Sequence, residues 1–138
     1  MGYPVEVIRD EGVFRVVFPD FDATETFGET RVQAMESAVD LLETMISARI
    51  ADDRDLPSPS PIHRRTVIRP SSMTTLKAAV YQAMRLEGIT RTELARRLGW
   101  KWSQVSRLID PRHPSRLNQL ESALEALGRR VVVTVDAA

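Results

Sequence analysis

Residues 90–109 read TRTELARRLGWKWSQVSRLI, and the punctuation of this stretch decides how the second half of the chain folds. Thr90 followed three residues later by Glu93 is a capping-box pattern, which starts a helix. Leu94, Ala95 and Leu98 give that helix an apolar side, and Gly99 stops it. A second helix follows from about Ser103, with Val105, Leu108 and Ile109 inward. The spacing of Ala95, Gly99 and Val105 carries the reading. Two closely crossing helices need a small residue where one overlies the other, a corner residue tolerant of positive φ, and an apolar residue pointing back. Together these features predict a helix-turn-helix, whose second helix enters the major groove of DNA by its N-terminal residues.

Working outward, Ser71 or Ser72 caps a preceding helix with Leu76, Ala79, Val80, Ala83 and Leu86 on its inner side, and Gly88 ends it. A fourth helix spans about Leu117 to Leu127, with Leu120, Ala123, Leu124 and Leu127 inward and Gly128 as its stop. Val131–Val135 reads as a closing strand. The predicted DNA-facing residues are Lys101, Trp102, Ser103, Ser106 and Arg107, with Gln104 nearby. Arg107 or Lys101 matches guanine O6 and N7, Gln104 matches adenine if it points inward, and the serines suit a base or a phosphate. Arg91, Arg96, Arg97, Arg112 and Arg116 suit phosphates, which fix register without reading sequence. Trp100 is assigned to the small core, whereas Trp102 fits either the core or a thymine methyl. A single small module holds DNA weakly, so a symmetric dimer or higher homo-oligomer with half-sites about 34 Å apart is expected. Val131, Val133 and Val135 would leave an apolar strand edge exposed in a monomer, and pairing with a twin would hide it.

The composition breaks at Pro57-Ser58-Pro59-Ser60-Pro61, where three prolines in five residues forbid a helix or a central strand. Before it, Tyr3–Ile8 and Val13–Phe18 read as strands joined by the hairpin-length Arg9-Asp10-Glu11-Gly12, with Phe14, Val16 and Phe18 on one face. Ala23–Phe27 is a weaker third strand, ended by Gly28. Thr30 and Gln33 form a capping box for a helix from Arg31 to about Asp52, with Ala34, Ala38, Leu41, Leu42, Met45 and Ile46 on its apolar face. His63–Ile68 can return as a last strand. The expected fold is an α+β N-terminal domain over 1–56, a three- to four-stranded sheet with one helix, to which a strand over 64–69 is able to return. A Pro-rich linker over 57–70 joins it to an all-α helix-turn-helix domain over 71–138 with a terminal β-strand.

A hydrophobic fraction of 43% and a charged fraction of 28% in 138 residues argue against a disordered chain. No apolar stretch approaches the ~20 residues of a membrane span. The opening MGYPVEVIRD lacks a secretory pattern, and cysteine is absent. These features predict a soluble, cytoplasmic protein with no membrane partner. The net charge of zero hides an asymmetry: residues 1–56 hold five basic and thirteen acidic residues (−8), and residues 57–138 hold fourteen and six (+8). The basic half suits a polyanion and the acidic half a basic surface. His63 and His113 lie fifty residues apart in loop-like contexts, and no nucleotide-binding glycine loop or nucleophile elbow is present. No metal, no cofactor and no enzymatic activity are expected.

The order of these features resembles the HicB antitoxins of bacterial HicAB toxin–antitoxin systems, over nearly the whole chain. The residues that carry the resemblance are Tyr3-Pro4-Val5, Phe18-Pro19-Asp20-Phe21, Gly28-Glu29-Thr30 leading into Ala34-Met35-Glu36, and Leu56-Pro57-Ser58-Pro59-Ser60. Ile89 through Gly128 is similar to the Cro/repressor-type helix-turn-helix of one branch of that family. The resemblance implies an N-terminal domain related to a truncated ribonuclease H fold, which masks a small, basic, RNA-cleaving HicA toxin. It also implies a C-terminal domain that represses the shared promoter by binding double-stranded operator DNA. Two loops depart from the family: Asp22-Ala23-Thr24 stands where Pro-Gly is common, and Asp52-Asp53-Arg54-Asp55 where Gly is common. The acidic N-terminal half suits a basic toxin, with Asp20, Asp22 and Glu25 as toxin-facing candidates. The ribonuclease H likeness raises a metal-nuclease reading through Asp10, Asp20, Asp22 and Glu36, but their spacing shows no convergence. The rival reading is a stand-alone transcriptional regulator whose N-terminal domain senses a ligand or oligomerises.

Overall fold

Glu11 and Gly12 both take positive φ, 46° and 82°, in the computed structural model, which describes residues 1–138. Such a mirror-image turn matches the twist of the strands it joins. It folds β1 (Tyr3–Asp10) back on β2 (Val13–Phe18), in register from Asp10 opposite Val13 to Glu6 opposite Val17. A 3-10 turn at Pro19–Phe21, followed by Asp22 and Ala23 at φ 56° and 57°, then reverses the chain into β3 (Thr24–Gly28), antiparallel to β2. β4 (Thr66–Ile68) pairs with the other side of β1, so the sheet order is β3-β2-β1-β4. The returning strand expected near residues 64–69 is therefore formed, and the sheet has four strands.

α1 (Arg31–Ala51) starts where its capping box predicts, with the Gln33 amide donating to the Thr30 hydroxyl at 3.1 Å. Ala34, Ala38, Leu42 and Ile46 recur every fourth residue and are fully buried. They cover the sheet face that carries Tyr3, Val5, Val16 and Phe18, also buried. Leu41 and Met45, expected inward, are only half-buried. Gly28 is required where α1 meets β3, because a Cβ there would lie 2.4 Å from the Ala34 backbone nitrogen. Phe21 caps the end of this core, edge-on to Tyr3 at 4.9 Å between ring centres, with the Arg49 guanidinium 5.1 Å over its ring.

The proline-rich stretch is held down rather than free. The Tyr3 hydroxyl donates to the Pro57 carbonyl at 2.8 Å, and burial, with Asp20 adding to it, pushes that hydroxyl up to about 12. Asp20 accepts the Ser60 amide at 2.9 Å and the Ser60 hydroxyl on its other oxygen. Glu43 of α1 accepts the Ser71 amide at 2.7 Å and the Thr74 hydroxyl. The chain accordingly divides into two compact units, Met1–Thr75 and Leu76–Ala138. These bounds differ from the expected 1–56, 57–70 and 71–138, because bonds spanning 28 to 54 residues tie the connector to the first unit.

α2 (Ser72–Glu87) contributes all but its first turn to the second unit, followed by α3 (Arg91–Leu98), α4 (Trp102–Ile109) and α5 (Leu117–Ala126). Leu94, Val105, Leu108, Ile109, Leu120, Leu124 and Leu127 form its core with Val80, Tyr81 and Met84. Leu86, expected inward, is 79% exposed, because the buried stripe of α2 is rotated onto Tyr81 and Met84. The expected terminal strand over Val131–Val135 is not formed in the single chain. A strand needs a hydrogen-bonded neighbour, and the second unit contains only helices to offer.

Candidate nucleic-acid interface

The corner between α3 and α4 is built by local rules. The Thr90 hydroxyl accepts the Glu93 amide at 3.1 Å and starts α3. Gly99 sits at φ 69°, ψ 28°, and the Trp100 amide closes on the Ala95 carbonyl at 2.9 Å. Nothing lies within 4 Å of a Cβ built on Gly99, so its backbone angle, not crowding, demands glycine. Lys101 then returns to extended angles as N-cap of α4, and its amide donates to the Gln104 side-chain oxygen at 2.7 Å. Ala95 of α3 and Val105 of α4 are both buried, 5% and 0% exposed, as are Leu94 and Leu108. Two eight-residue helices, α3 and α4, are thus joined at a left-handed glycine.

Lys101, Trp102, Ser103, Gln104 and Arg107 are exposed along α4, and Ser106 is half-buried. Trp102 is 55% exposed, so it is not a core residue of the free chain; Trp100 is half-buried. The oxygen of Gln104 is spent on capping α4, so a bidentate contact to adenine requires that bond to open. Arg91 is half-buried, Arg116 is the exposed N-cap of α5, and Arg112 is exposed and donates to Asp110 at 3.2 Å. Arg96 and Arg97 are both held by Glu93, at 2.9 and 2.6 Å and at 3.1 Å. Hydrogen bonds from Arg96 and then Arg97 hold the Glu93 carboxyl down at about 2.

One residue that sequence reasoning missed braces this site. Lys77 of α2 is fully buried, and its ammonium donates to the carbonyls of Arg107 at 3.1 Å and Leu108 at 2.7 Å, and to the Ser115 hydroxyl at 2.7 Å. These carbonyls lie in the last turn of α4, where they have no i+4 amide donor within the helix and favour a cation. Burial pushes the ammonium down to about 8, with Asp110 opposing that shift. The signal was available: Lys77 falls in helical register with Val80, Tyr81 and Met84. Beside α4, a cleft of about 140 Å³ has Trp100, Arg107 and His113 on its walls. That volume falls below the roughly 300–1,000 Å³ of ordinary ligand pockets.

In the first unit the three carboxylates named as toxin-facing have three different surroundings. Asp20 is bonded to Ser60, Asp22 is exposed with Arg49 3.5 Å away, and Glu25 is paired with Arg15 at 2.7 Å. Asp10 stands 3.9 Å from Arg15, and no three histidine or acidic side chains in the structure group closely enough to hold a metal ion. Val131 is half-buried, whereas Val133 and Val135 are exposed. No helix is long and apolar enough to cross a membrane.

Residues 2–79 match a family model described as the HicB-like antitoxin of bacterial toxin–antitoxin systems. Over its length the chain is similar to proteins named antitoxin HicB. It is 32% identical over 138 residues to the one from Pseudomonas fluorescens (strain Pf0-1), covering 99% of this chain and 94% of that protein. It is 34% identical over 134 residues to the one from Escherichia coli (strain K12), covering 95% and 96%. Antitoxin HicB 1 of Photorhabdus laumondii is 31% identical over 137 residues, covering 99% and 88%. The family model ends at residue 79, so the helical second unit is matched through these full-length relatives.

Proposed function

The chain belongs to the HicB-like antitoxins of bacterial toxin–antitoxin systems, and from that premise we propose a two-handed protein. Its first unit binds and masks a small, basic, RNA-cleaving toxin. Its second unit binds operator DNA through α4 and represses the operon that encodes both proteins. The observation that carries the DNA half is the Gly99 corner, which leaves Lys101, Ser103 and Arg107 exposed on a helix whose other side is buried. Lys101 and Arg107 read base edges in the major groove. Arg91, Arg112 and Arg116 meet phosphates. The acidic balance of the first unit, with Asp22 and Glu25 exposed, draws and orients a cationic toxin. Trp102 and Ser106 lie at the edge of the DNA contact, and no cofactor enters either role.

Operator binding by the full chain tests this reading. Lys101→Ala and Arg107→Ala should each weaken operator affinity by about 5- to 150-fold, the range of one lost base contact. Neutralisation of the toxin in growing cells should be unchanged. Equal loss of both activities would mean that the substitutions unfold the protein. Wild-type operator affinity in both variants would remove α4 from the DNA contact.

A further inference from the structure

Side chains alternate across a sheet, so the face turned away from α1 can be listed row by row. Glu6, Val17 and Glu25 form one row across β1, β2 and β3, and Ile8, Arg15 and Phe27 form the next. α1 is the one full helix of this unit, and it covers the opposite face. Phe27 is 66% exposed on the edge strand β3, and Ile8 is 36% exposed. Single exposed aliphatic residues are ordinary, but an aromatic ring this exposed within a charged rim, with Arg15 between it and Ile8, has the character of an interface anchor. The charges of the rim are lopsided. Arg15, the one cation in the two rows, is held by Glu25 at 2.7 Å and faces Asp10 at 3.9 Å, while Glu6 is exposed.

We propose that this helix-free sheet face, centred on Phe27 and rimmed by Glu6, Asp10 and Glu25, is the surface on which the basic toxin docks. The inference rests on the antitoxin reading and names its contact surface. A second copy of this chain is the poorer occupant, because it would bring three carboxylates against three, and like charges across an interface oppose association. A protein that handles RNA carries arginine or lysine for phosphates. Such a cation takes over Glu25 from Arg15 and pairs with Glu6, while an apolar residue of the partner covers Phe27.

The test titrates the full chain with the toxin of its own operon at several salt concentrations and follows association and dissociation rates. Phe27→Ala alters an exposed side chain, so its melting temperature should match wild type while toxin affinity falls about tenfold or more through faster dissociation. A Glu6→Gln/Glu25→Gln pair should slow association about tenfold at low salt and flatten its salt dependence. A Glu36→Gln/Asp40→Asn pair, both exposed on α1, is the charge-matched control and should change neither rate. Toxin binding at wild-type rates in both the Phe27 and the paired glutamine variants would overturn the assigned face and leave the antitoxin reading standing. No binding by the wild-type chain would overturn both. An altered oligomeric state of Phe27→Ala with unchanged toxin affinity would overturn the proposal in favour of self-association.

Discussion

Lys77 is one of two lysines in a chain with seventeen arginines, and it is the one that is buried. A compact ammonium with three rotatable donors fits a site with two backbone carbonyls and a hydroxyl; the planar fork of arginine does not. Its titration should be visible in stability. The folded value is about 8 against an ordinary 10.5, so between those pH values the unfolded chain holds a proton that the folded chain has released. Stability from this group therefore rises as pH increases through that window, by at most roughly 3 kcal/mol. Below it, the buried charge is carried in full. Chemical denaturation at pH 7.5, 8.5 and 9.5 should show this rise in the wild type, and Lys77→Met should flatten it. An unchanged slope in Lys77→Met would mean that Lys77 is not the titrating group. The left-handed pair Asp22 and Ala23 is a second residue-scale feature, since side chains other than glycine rarely sit at φ 56° and 57°.

At the scale of elements, what was legible in the sequence is what is written locally. Thr30 with Gln33, Thr90 with Glu93, and Gly99 each act within a few residues, and each helix start and the corner fell where those residues predict. Strand pairing up to β3 followed from alternation and a two-residue turn. What stayed hidden depends on distant partners. Asp20 reaches Ser60 forty residues away, so a proline-rich stretch that reads as a linker is part of the first unit. The register of Lys77 with Val80, Tyr81 and Met84 placed it on the buried stripe of α2, but its acceptors on α4, thirty residues away, are visible only in the fold. Ion pairing had the same effect on α3, where two arginines read as phosphate contacts are shared by Glu93. Glu93→Gln should therefore free Arg96 and Arg97 while keeping the Thr90 cap, whose donor is a backbone amide. On the proposed DNA-binding role, operator affinity should rise several-fold and the salt slope should steepen by about one to two units. A fluorescence titration over 50–200 mM salt that gives the wild-type slope would show that neither arginine reaches a phosphate.

At the scale of the molecule, the two units carry opposite charge: Met1–Thr75 holds eight basic and thirteen acidic residues (−5), and Leu76–Ala138 holds eleven and six (+5). That division suits one chain with one acidic and one basic contact, each speeded by low salt. It does not by itself make operator binding strong, since α4 offers only eight residues and few base contacts. Two copies on two half-sites would supply what one lacks, and the tail is where the copies have reason to meet. Val132, Val133 and Val135 are exposed, the last at 92%, on a segment of high strand propensity with no strand beside it in its own unit. An antiparallel pairing of two such tails about a two-fold axis satisfies the backbone of both and brings Val131, Val133 and Val135 to one face. Val133→Asp places a charge in the middle of that face, while the residue is already in water in the single chain, so the melting of the monomer should be unaffected. Sedimentation should then show a shift toward monomer, and operator affinity should fall at least tenfold, with toxin neutralisation intact because the first unit is untouched. If Val133→Asp sediments as the wild type does and still holds the operator, the tails do not join the copies, and the second contact must come from another surface.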